Sequence, residues 1–210
     1  MIGYYNVSVI LTYFSVVVSV YGTLFALNNQ ISFALLCLMV CGLCDMFDGT
    51  IAAKVDRTEN EKKFGVQIDS LCDVLNFGMF PAIIGYAIGL RDFWSISCMA
   101  AFILAAVIRL AFFNVDEDIR QRETPDQSRA YYRGLPVTSV AMIIPFFVMG
   151  NAVITQFTLM VYYPILLLML AFFFLLDFKV KKPKGISIWV MCFIGMIVFF
   201  IVYKWGELIV

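Results

Sequence analysis

The stretch LCLMVCGLCDMFDGTIAA, from Leu36 to Ala53, places two aspartates inside an apolar run. The stretch FGVQIDSLCDVLNFGMFPAIIGYAIGL, from Phe64 to Leu90, also places two aspartates inside an apolar run. Apolar runs of this length are typical of membrane-spanning helices. A charged side chain at the centre of a bilayer costs about 2.5–3.5 kcal/mol, so four unpaired carboxylates would cost about 10 kcal/mol or more. We therefore expect something to neutralise these aspartates, and metal cations are the obvious candidates.

The composition of the whole chain also indicates a membrane protein. Of its 210 residues, 62% are hydrophobic and 14% are charged, and the mean hydropathy is +0.91, whereas soluble domains are about 45–50% apolar. The formal net charge is zero, which provides no basic surface for nucleic acid. Histidine is absent, so acid–base chemistry falls to carboxylates, Lys, Tyr or Cys.

The six cysteines lie in apolar segments. Cys41 and Cys44 have the spacing of a redox or zinc pair, but no second pair and no histidine completes such a site. We interpret the cysteines as small buried hydrophobic residues.

We predict an all-α fold, a polytopic membrane helix bundle of six to eight transmembrane helices that forms one domain over residues 1–210. A span needs about 20 mostly apolar residues, and seven segments qualify. They cover residues 8–27, 31–53, 65–90, 93–113, 135–154, 157–176 and 187–208. The first is too long for the short core of a signal peptide, so we expect no cleavable leader.

The distribution of Lys and Arg predicts the orientation in the cell membrane. The linkers 54–64, 114–134 and 177–186 each contain four such residues, whereas the alternate side has only Arg91 and Lys204. Cytoplasmic loops carry the excess of Lys and Arg. We therefore expect these linkers and the N-terminus in the cytoplasm and, with seven spans, the C-terminus outside.

The four aspartates are expected to form one site near the cytoplasmic face. Asp45 and Asp48 lie three residues apart at the end of the second span, and Asp69 and Asp73 lie four apart in the first turns of the third. Residues at these spacings share a helix face. Two antiparallel neighbouring helices would bring both pairs together as an all-oxygen site, which suits Mg²⁺ or Mn²⁺. Two such ions would balance the four carboxylates.

Small residues accompany the aspartates. Gly49 and Ala52 follow Asp48, and Gly65 precedes Asp69 by one helical turn. Small side chains let a backbone or a flat ligand approach closely. The alternative is that these are ordinary helix-packing residues and that the aspartates pair with Arg109 or Lys54.

The combined string resembles the signature of a known family. Asp45-x-x-Asp48-Gly49-x-x-Ala52, followed by Gly65-x-x-x-Asp69-x-x-x-Asp73, is similar to the motif of the CDP-alcohol phosphotransferases. Those membrane enzymes move a phosphatidyl or related group from a CDP-linked donor to an alcohol and release CMP. Further blocks resemble the serine phosphatidyltransferase branch of that family: Asn76-Phe77-Gly78, Pro81-Ala82, Arg109 to Asn114, Gly134-Leu135-Pro136 and Thr138-Ser139.

The resemblance implies roles for the motif residues. Asp45 and Asp69 would bridge two metal ions, Asp48 would complete one metal site, and Asp73 would complete the other. Asp73 would also be the general base that accepts the proton of the acceptor hydroxyl, and Gly49 would line the cytidine diphosphate pocket. A homodimer is expected from the same resemblance.

Two departures from the family pattern affect the donor site, for which we predict Gly49, Ala52, Lys54, Lys62 and Gly65. The family has an arginine that contacts the donor directly after the motif alanine, where this chain has Ala53. The following linker is also longer than usual. Either Lys54, Arg57 or Lys62 supplies the missing cation, or donor binding is weaker or the donor differs.

An acceptor site is expected from polar residues at the cytoplasmic ends of the fourth and fifth spans: Arg109, Asn114, Arg133, Thr138 and Ser139. Arginine matches a carboxylate in a bidentate manner. Arg109 or Arg133 would therefore hold the carboxylate of serine, although Arg133 could equally be an ordinary cytoplasmic anchor.

These observations favour transfer of a phosphatidyl group from CDP-diacylglycerol, held in the membrane lipids, to L-serine. A second hypothesis keeps the chemistry and changes the acceptor to glycerol 3-phosphate or an inositol phosphate. A third is a divalent-cation transporter, against which the carboxylates lie at one end of their spans rather than at the midplane.

Overall fold

The computed structural model of the protein describes residues 3–6, 9–52, 54–123, 131–152, 156–181 and 195–204. Within these residues the helices, in chain order, are α1 (Ile10–Leu27), α2 (Ile31–Ala52), α3 (Glu59–Asp73), α4 (Phe80–Ile88), α5 (Phe93–Glu123), α6 (Val140–Ala152), α7 (Gln156–Leu175) and α8 (Gly195–Lys204). A π-helical turn, Val74–Met79, joins α3 to α4 without a break. A 3₁₀ turn, Val137–Ser139, leads into α6.

Apolar helices make up the bundle expected from the sequence. In the part of the chain that the structure describes, four helices are long and apolar enough to cross a membrane: Ile10–Leu27, Ile31–Ala52, Glu59–Ile88 and Phe93–Arg120. Three shorter apolar helices lie inside the last three predicted spans: Val137–Met149, Leu159–Leu175 and Gly195–Lys204. The prediction of an all-α, multi-pass membrane bundle is confirmed. Ala53, Cys192 and both ends of the span predicted over 187–208 lie outside the described residues.

Helices α1 and α2 are antiparallel neighbours because a very short turn connects them. Asn29 adopts φ 60°, a left-handed conformation that asparagine tolerates. The Gln30 amide donates to the Phe25 carbonyl at 2.8 Å and closes the turn. Gly22 allows the two helices to approach, since a β-carbon there would lie 2.7 Å from Cys37 Cβ. The N-terminal end of α1 therefore lies beside the C-terminal end of α2.

The linker predicted over 54–64 is shorter in the structure, because α3 begins at Glu59 rather than near Gly65. A capping box sets this start. The Glu61 amide donates to Thr58 Oγ1 at 3.3 Å, and the Thr58 amide donates to Glu61 Oε2 at 2.7 Å. The pattern Thr58-x-x-Glu61 is the usual sequence signal for a helix start. Asp69 and Asp73 therefore lie in the last turns of α3, near the middle of the continuous helical segment Glu59–Ile88.

The fourth predicted span also ends too early, since α5 continues through residues 114–123, which were expected to be linker. Ion pairs one turn apart support this polar extension. Arg120 pairs with Glu117 at 2.5 Å and Arg122 with Asp118 at 2.6 Å. Such pairs stabilise exposed helical turns by about 0.2–0.5 kcal/mol each. A hydropathy window detects only the apolar part of such a helix.

The core packs α4 against α7. The Tyr163 ring is fully buried, and its hydroxyl donates to the Pro81 carbonyl at 2.8 Å. A β-carbon at Gly85 would lie 2.9 Å from that ring, and one at Gly89 would lie 2.4 Å from Met160 Cε. Gly85 and Gly89 thus pack within this bundle.

Cys41 and Cys44 are buried free thiols, as their interpretation as small hydrophobic residues requires.

A short two-stranded ribbon closes the aspartate end of the bundle. Strand β1 (Tyr131–Arg133) pairs antiparallel with β2 (Lys179–Lys181). Gly134 follows β1 at φ +72°, and its amide donates to the Phe178 carbonyl at 2.7 Å. The ribbon fixes the 3₁₀ turn relative to the end of α7.

Candidate metal centre

The four predicted aspartates converge where α2 meets α3. Carboxylate oxygens of Asp45, Asp48 and Asp69 all lie within 4.8 Å of one another. The Asp73 side chain is within hydrogen-bonding contact of Asp45, and that of Asp69 is within contact of Asp48. Asp48 and Asp73 are each only 8% exposed. The carboxylates of α2 and α3 therefore meet in one cluster rather than forming two separate acidic faces.

The cluster fits a small divalent cation. Ligand oxygens lie about 2.0–2.1 Å from Mg²⁺, so oxygens on opposite sides of the ion are about 4.2 Å apart. A set of oxygens within 4.8 Å is close to that arrangement. Four basic side chains, those of Lys62, Arg120, Arg122 and Arg133, form ion pairs with carboxylates outside the cluster: Glu59, Asp116, Glu117, Asp118 and Asp177.

Two threonines from distant parts of the chain touch the cluster. Thr12 Oγ1 of α1 donates to Asp48 Oδ2 at 3.1 Å. Thr138 of the 3₁₀ turn is in hydrogen-bonding contact with the Asp45 side chain. The sequence predicted Thr138 as an acceptor-site residue but did not identify Thr12. The sequence signal that could have identified Thr12 is the helical spacing of three polar residues in an otherwise apolar segment: Thr12, Ser15 and Ser19.

A second buried polar group lies just after the cluster. Asn76, in the π-helical turn that follows Asp73, is 1% exposed, and its Nδ2 donates to Ser15 Oγ at 2.8 Å. The Cys41 thiol donates to the Ser15 carbonyl at 3.3 Å. Helix α1 is therefore hydrogen-bonded both to α2 and to the segment that leaves Asp73.

The predicted donor-site glycines differ in their surroundings. A β-carbon at Gly49 would meet no heavy atom of the described residues within 4 Å, so that part of the structure leaves one side of α2 open. A β-carbon at Gly65 would lie 3.4 Å from Arg57 Nη1. Ala52 is the last residue of α2 and is partly buried. The open face at Gly49 leaves room for a ligand beside Asp48.

The cations beyond α2 also differ. Lys54 is exposed, and Lys62 pairs with Glu59 at 2.9 Å on an exposed helix face. Arg57 Nε is buried and has no hydrogen-bond partner among the described residues. A buried donor without a partner costs about 1–3 kcal/mol, so such groups normally find one.

The predicted acceptor residues make several hydrogen bonds in the structure. Ser70 Oγ of α3 donates to Asn114 Oδ1 at 2.9 Å, so Asn114 is next to the cluster. Arg109 is 6% exposed, and its Nε donates to the Leu135 carbonyl at 2.5 Å. Ser139 Oγ donates to the Pro136 carbonyl at 2.7 Å within the 3₁₀ turn.

Arg133 is engaged at the ribbon. Its guanidinium pairs with Asp177 at 2.5 Å and with Asp116 at 3.6 Å, and it lies 5.1 Å from the centroid of the Phe112 ring. The adjacent guanidinium lowers the pKa of the Asp177 carboxyl, with a smaller contribution from Lys179. Through these contacts Arg133 holds β1 against α5 and the end of α7.

Curated relatives carry closely related names. A CDP-diacylglycerol–serine O-phosphatidyltransferase of Saccharomyces cerevisiae is 32% identical over 108 residues, covering 50% of this chain and 38% of that protein. An enzyme of the same name from Mycobacterium tuberculosis is 28% identical over 120 residues, covering 56% and 40%. An archaetidylserine synthase of Methanothermobacter thermautotrophicus is 33% identical over 94 residues, covering 44% and 40%. The matches thus span less than half of each relative.

A family model extends the similarity over nearly the whole chain. The CDP-alcohol phosphatidyltransferase model matches residues 5–209. Members of that family generally use a divalent metal, and the three clustered aspartates can hold one. The chain belongs to the CDP-alcohol phosphatidyltransferase family.

Proposed function

We propose that the protein transfers a phosphatidyl group from CDP-diacylglycerol to L-serine and releases CMP. The observation that carries the proposal is the convergence of Asp45, Asp48, Asp69 and Asp73 at one end of a membrane helix bundle. The names of the serine-specific relatives support serine as the acceptor. The lipid tails of the donor would remain in the bilayer while its nucleotide lies among the helix ends.

The four aspartates, Asp45, Asp48, Asp69 and Asp73, would hold two ions, Mg²⁺ or Mn²⁺. Carboxylates are the ligands that both ions prefer. When bound, the ions would offset the negative charge of the diphosphate during displacement at phosphorus. Asp48 would complete one ion site and Asp73 the other, in agreement with the pairwise contacts of these side chains.

Asp73 would act as the general base. Its carboxylate would accept the proton of the serine hydroxyl as that oxygen forms a bond to the phosphorus that bears diacylglycerol. The bond from this phosphorus to the oxygen of CMP breaks, and CMP leaves with the electron pair. A carboxylate base is consistent with a chain that contains no histidine. The burial of Asp73 would keep competing water away from the transferred group.

For the acceptor, Arg109 is the better candidate to bind the serine carboxylate. The bond from its Nε to Leu135 orients the side chain beside the 3₁₀ turn that carries Thr138, whose side chain contacts Asp45. Arg133 has the weaker claim, because its guanidinium pairs with Asp177 and Asp116. Asn114 and Ser139 would contribute further polar groups to the acceptor site.

For the donor, Arg57 has the strongest support among the cations near the motif. Its Nη1 would be 3.4 Å from a β-carbon at Gly65, and its buried Nε lacks a partner among the described residues. An oxygen of the substrate's diphosphate would accept a charge-assisted hydrogen bond from the Arg57 Nε–H group. Lys54 and Lys62 are exposed and would contribute less. Gly49 and Ala52 would flank the cytidine diphosphate.

The Lys and Arg distribution supports a site that faces the cytoplasm. A homodimer stays a prediction from the family resemblance. Glycerol 3-phosphate or an inositol phosphate as acceptor, and cation transport, remain the alternatives that the assay must separate from serine transfer.

The decisive experiment incubates the purified protein in lipid nanodiscs with CDP-diacylglycerol and each candidate alcohol, with Mg²⁺, with Mn²⁺ or with chelator, and measures CMP release. Serine-dependent, chelator-sensitive release is expected. Asp48→Asn should abolish it, whereas Asp92→Asn should not. Asp92 caps α5 away from the cluster, and asparagine caps equally well. Release with another alcohol in preference to serine would contradict the acceptor assignment, and cation uptake without CMP release would contradict the enzyme.

A further inference from the structure

Helix α1 carries a buried polar face that the proposed reaction does not yet use. Thr12, Ser15 and Ser19 lie at helical spacing and are 4%, 3% and 5% exposed. In an apolar helix, buried hydroxyls need partners, because an unpaired polar group is costly in a low-dielectric interior. Thr12 has its partner on α2, which carries Asp45 and Asp48, and Ser15 has one in the π-helical turn that directly follows Asp73.

Two contacts define this connection. Thr12 Oγ1 donates to Asp48 Oδ2 at 3.1 Å, and both residues are buried. Ser15 Oγ accepts from Asn76 Nδ2 at 2.8 Å, and Asn76 is the third residue after Asp73. The short turn between α1 and α2 keeps Thr12 level with the end of α2. Helix α1 thus fixes one aspartate directly and the segment after another indirectly.

We infer that Thr12 is a positioning residue for the metal centre, holding the Asp48 carboxylate in the orientation that binds the cation. This inference rests on the proposed function. A carboxylate has about four acceptor sites, so one bond from Thr12 leaves sites on both oxygens for an ion and for neighbouring groups. Without this bond, the Asp48 side chain could rotate among several staggered conformations, and only some of them face Asp45 and Asp69.

Outer partners of metal ligands typically contribute about 10–100-fold to metal affinity. The bond from Thr12 is buried and joins residues 36 positions apart, so it depends on the packing of α1 against α2. Removing the hydroxyl should therefore weaken metal binding without removing a ligand. Turnover at saturating metal should largely recover, because all four carboxylates remain.

The test measures direct Mn²⁺ binding to the full-length protein by electron paramagnetic resonance, together with CMP release as a function of Mn²⁺ concentration. Thr12→Val keeps the shape of the side chain and removes the hydroxyl, and Thr12→Ser keeps the hydroxyl. Thr12→Ala removes the hydroxyl in a smaller residue that cannot clash. Ser19→Ala is the matched control, since it deletes a buried hydroxyl from the same face of α1.

Thr12→Val and Thr12→Ala should each weaken Mn²⁺ binding about 10–100-fold and raise the Mn²⁺ concentration for half-maximal activity by the same factor. Thr12→Ser should restore binding, and Ser19→Ala should match the wild type. Unchanged Mn²⁺ affinity in Thr12→Val or Thr12→Ala would overturn the inference, and so would an equal loss in Ser19→Ala. Absence of Mn²⁺ binding by the wild type would instead refute the proposed metal centre itself.

Discussion

Substitution of Gly49 by alanine tests whether this glycine lines the donor pocket or only packs against another helix. A β-carbon at Gly49 would lie more than 4 Å from every heavy atom in the described part of the chain, which therefore has room for it. Alanine is favoured over glycine in a helix by about 0.5–1 kcal/mol. The free energy of unfolding of Gly49→Ala should therefore stay the same or rise by up to about 1 kcal/mol.

Donor binding should change in the opposite direction. If cytidine diphosphate packs against Gly49, a methyl group intrudes on it, and overpacking costs about 1–3 kcal/mol. Since 1.4 kcal/mol is tenfold, the KM for CDP-diacylglycerol should rise about 5- to 150-fold. Serine KM should change little, because the predicted acceptor residues lie on other elements.

Gly42 provides the matched control on the same helix. A β-carbon there would lie 2.5 Å from Ala141 Cβ, so Gly42→Ala should destabilise the bundle by about 1–3 kcal/mol without a selective effect on donor KM. The assay is CMP release over a range of donor concentrations, paired with thermal unfolding of both variants in the same nanodiscs. A wild-type donor KM for Gly49→Ala, with normal folding, would refute the placement of the donor beside Gly49.

Three further outcomes are expected. Asp73→Asn should lower kcat by about 10²–10⁴-fold, the contribution of a general base, while circular dichroism shows an intact helical fold. Arg109→Lys should raise the KM for serine more than Arg133→Lys does, because lysine cannot reproduce a bidentate carboxylate contact, as steady-state kinetics would measure. The Arg133 guanidinium lowers the pKa of the Asp177 carboxyl below its ordinary value, so this ion pair stabilises the fold at pH values above that ordinary pKa, and the contribution is lost as the pH falls through the lowered pKa. NMR titration of Asp177 in the wild type and in Arg133→Gln would measure the shift.

A specific result would contradict each of these predictions. Retained turnover in Asp73→Asn would exclude it as the base. Unchanged serine KM in both arginine variants would remove the proposed carboxylate contact. An Asp177 pKa that does not rise in Arg133→Gln would mean that the ion pair at 2.5 Å has little influence in solution.

Local sequence patterns predicted much of the site. Asp45 and Asp48, three residues apart, and Asp69 and Asp73, four apart, had to share helix faces because helical periodicity depends only on spacing. A short connection between the two segments predicted that both pairs lie at the same end of the bundle. The start of α3 was also encoded locally, in Thr58 and Glu61, although hydropathy alone placed it too late.

The polar end of α5 was missed for a related reason. Residues 114–123 have the charge pattern of an exposed helix, with Glu117 and Arg120 paired one turn apart. A search for apolar spans stops where charge begins, even though the helix itself continues. The sequence left Arg133 either as an acceptor residue or as an ordinary cytoplasmic anchor, because charge alone does not distinguish serine from Asp177 as its partner.

The sequence by itself determined that this chain forms apolar membrane helices and that four carboxylates must be neutralised together, because hydropathy and helical spacing are properties of neighbouring residues. Only the tertiary structure decided that Thr12 reaches Asp48, that Thr138 reaches Asp45 and that Arg57 lies against Gly65. Those contacts depend on how helices approach and rotate against one another, and that geometry follows from packing of the whole bundle rather than from any local pattern.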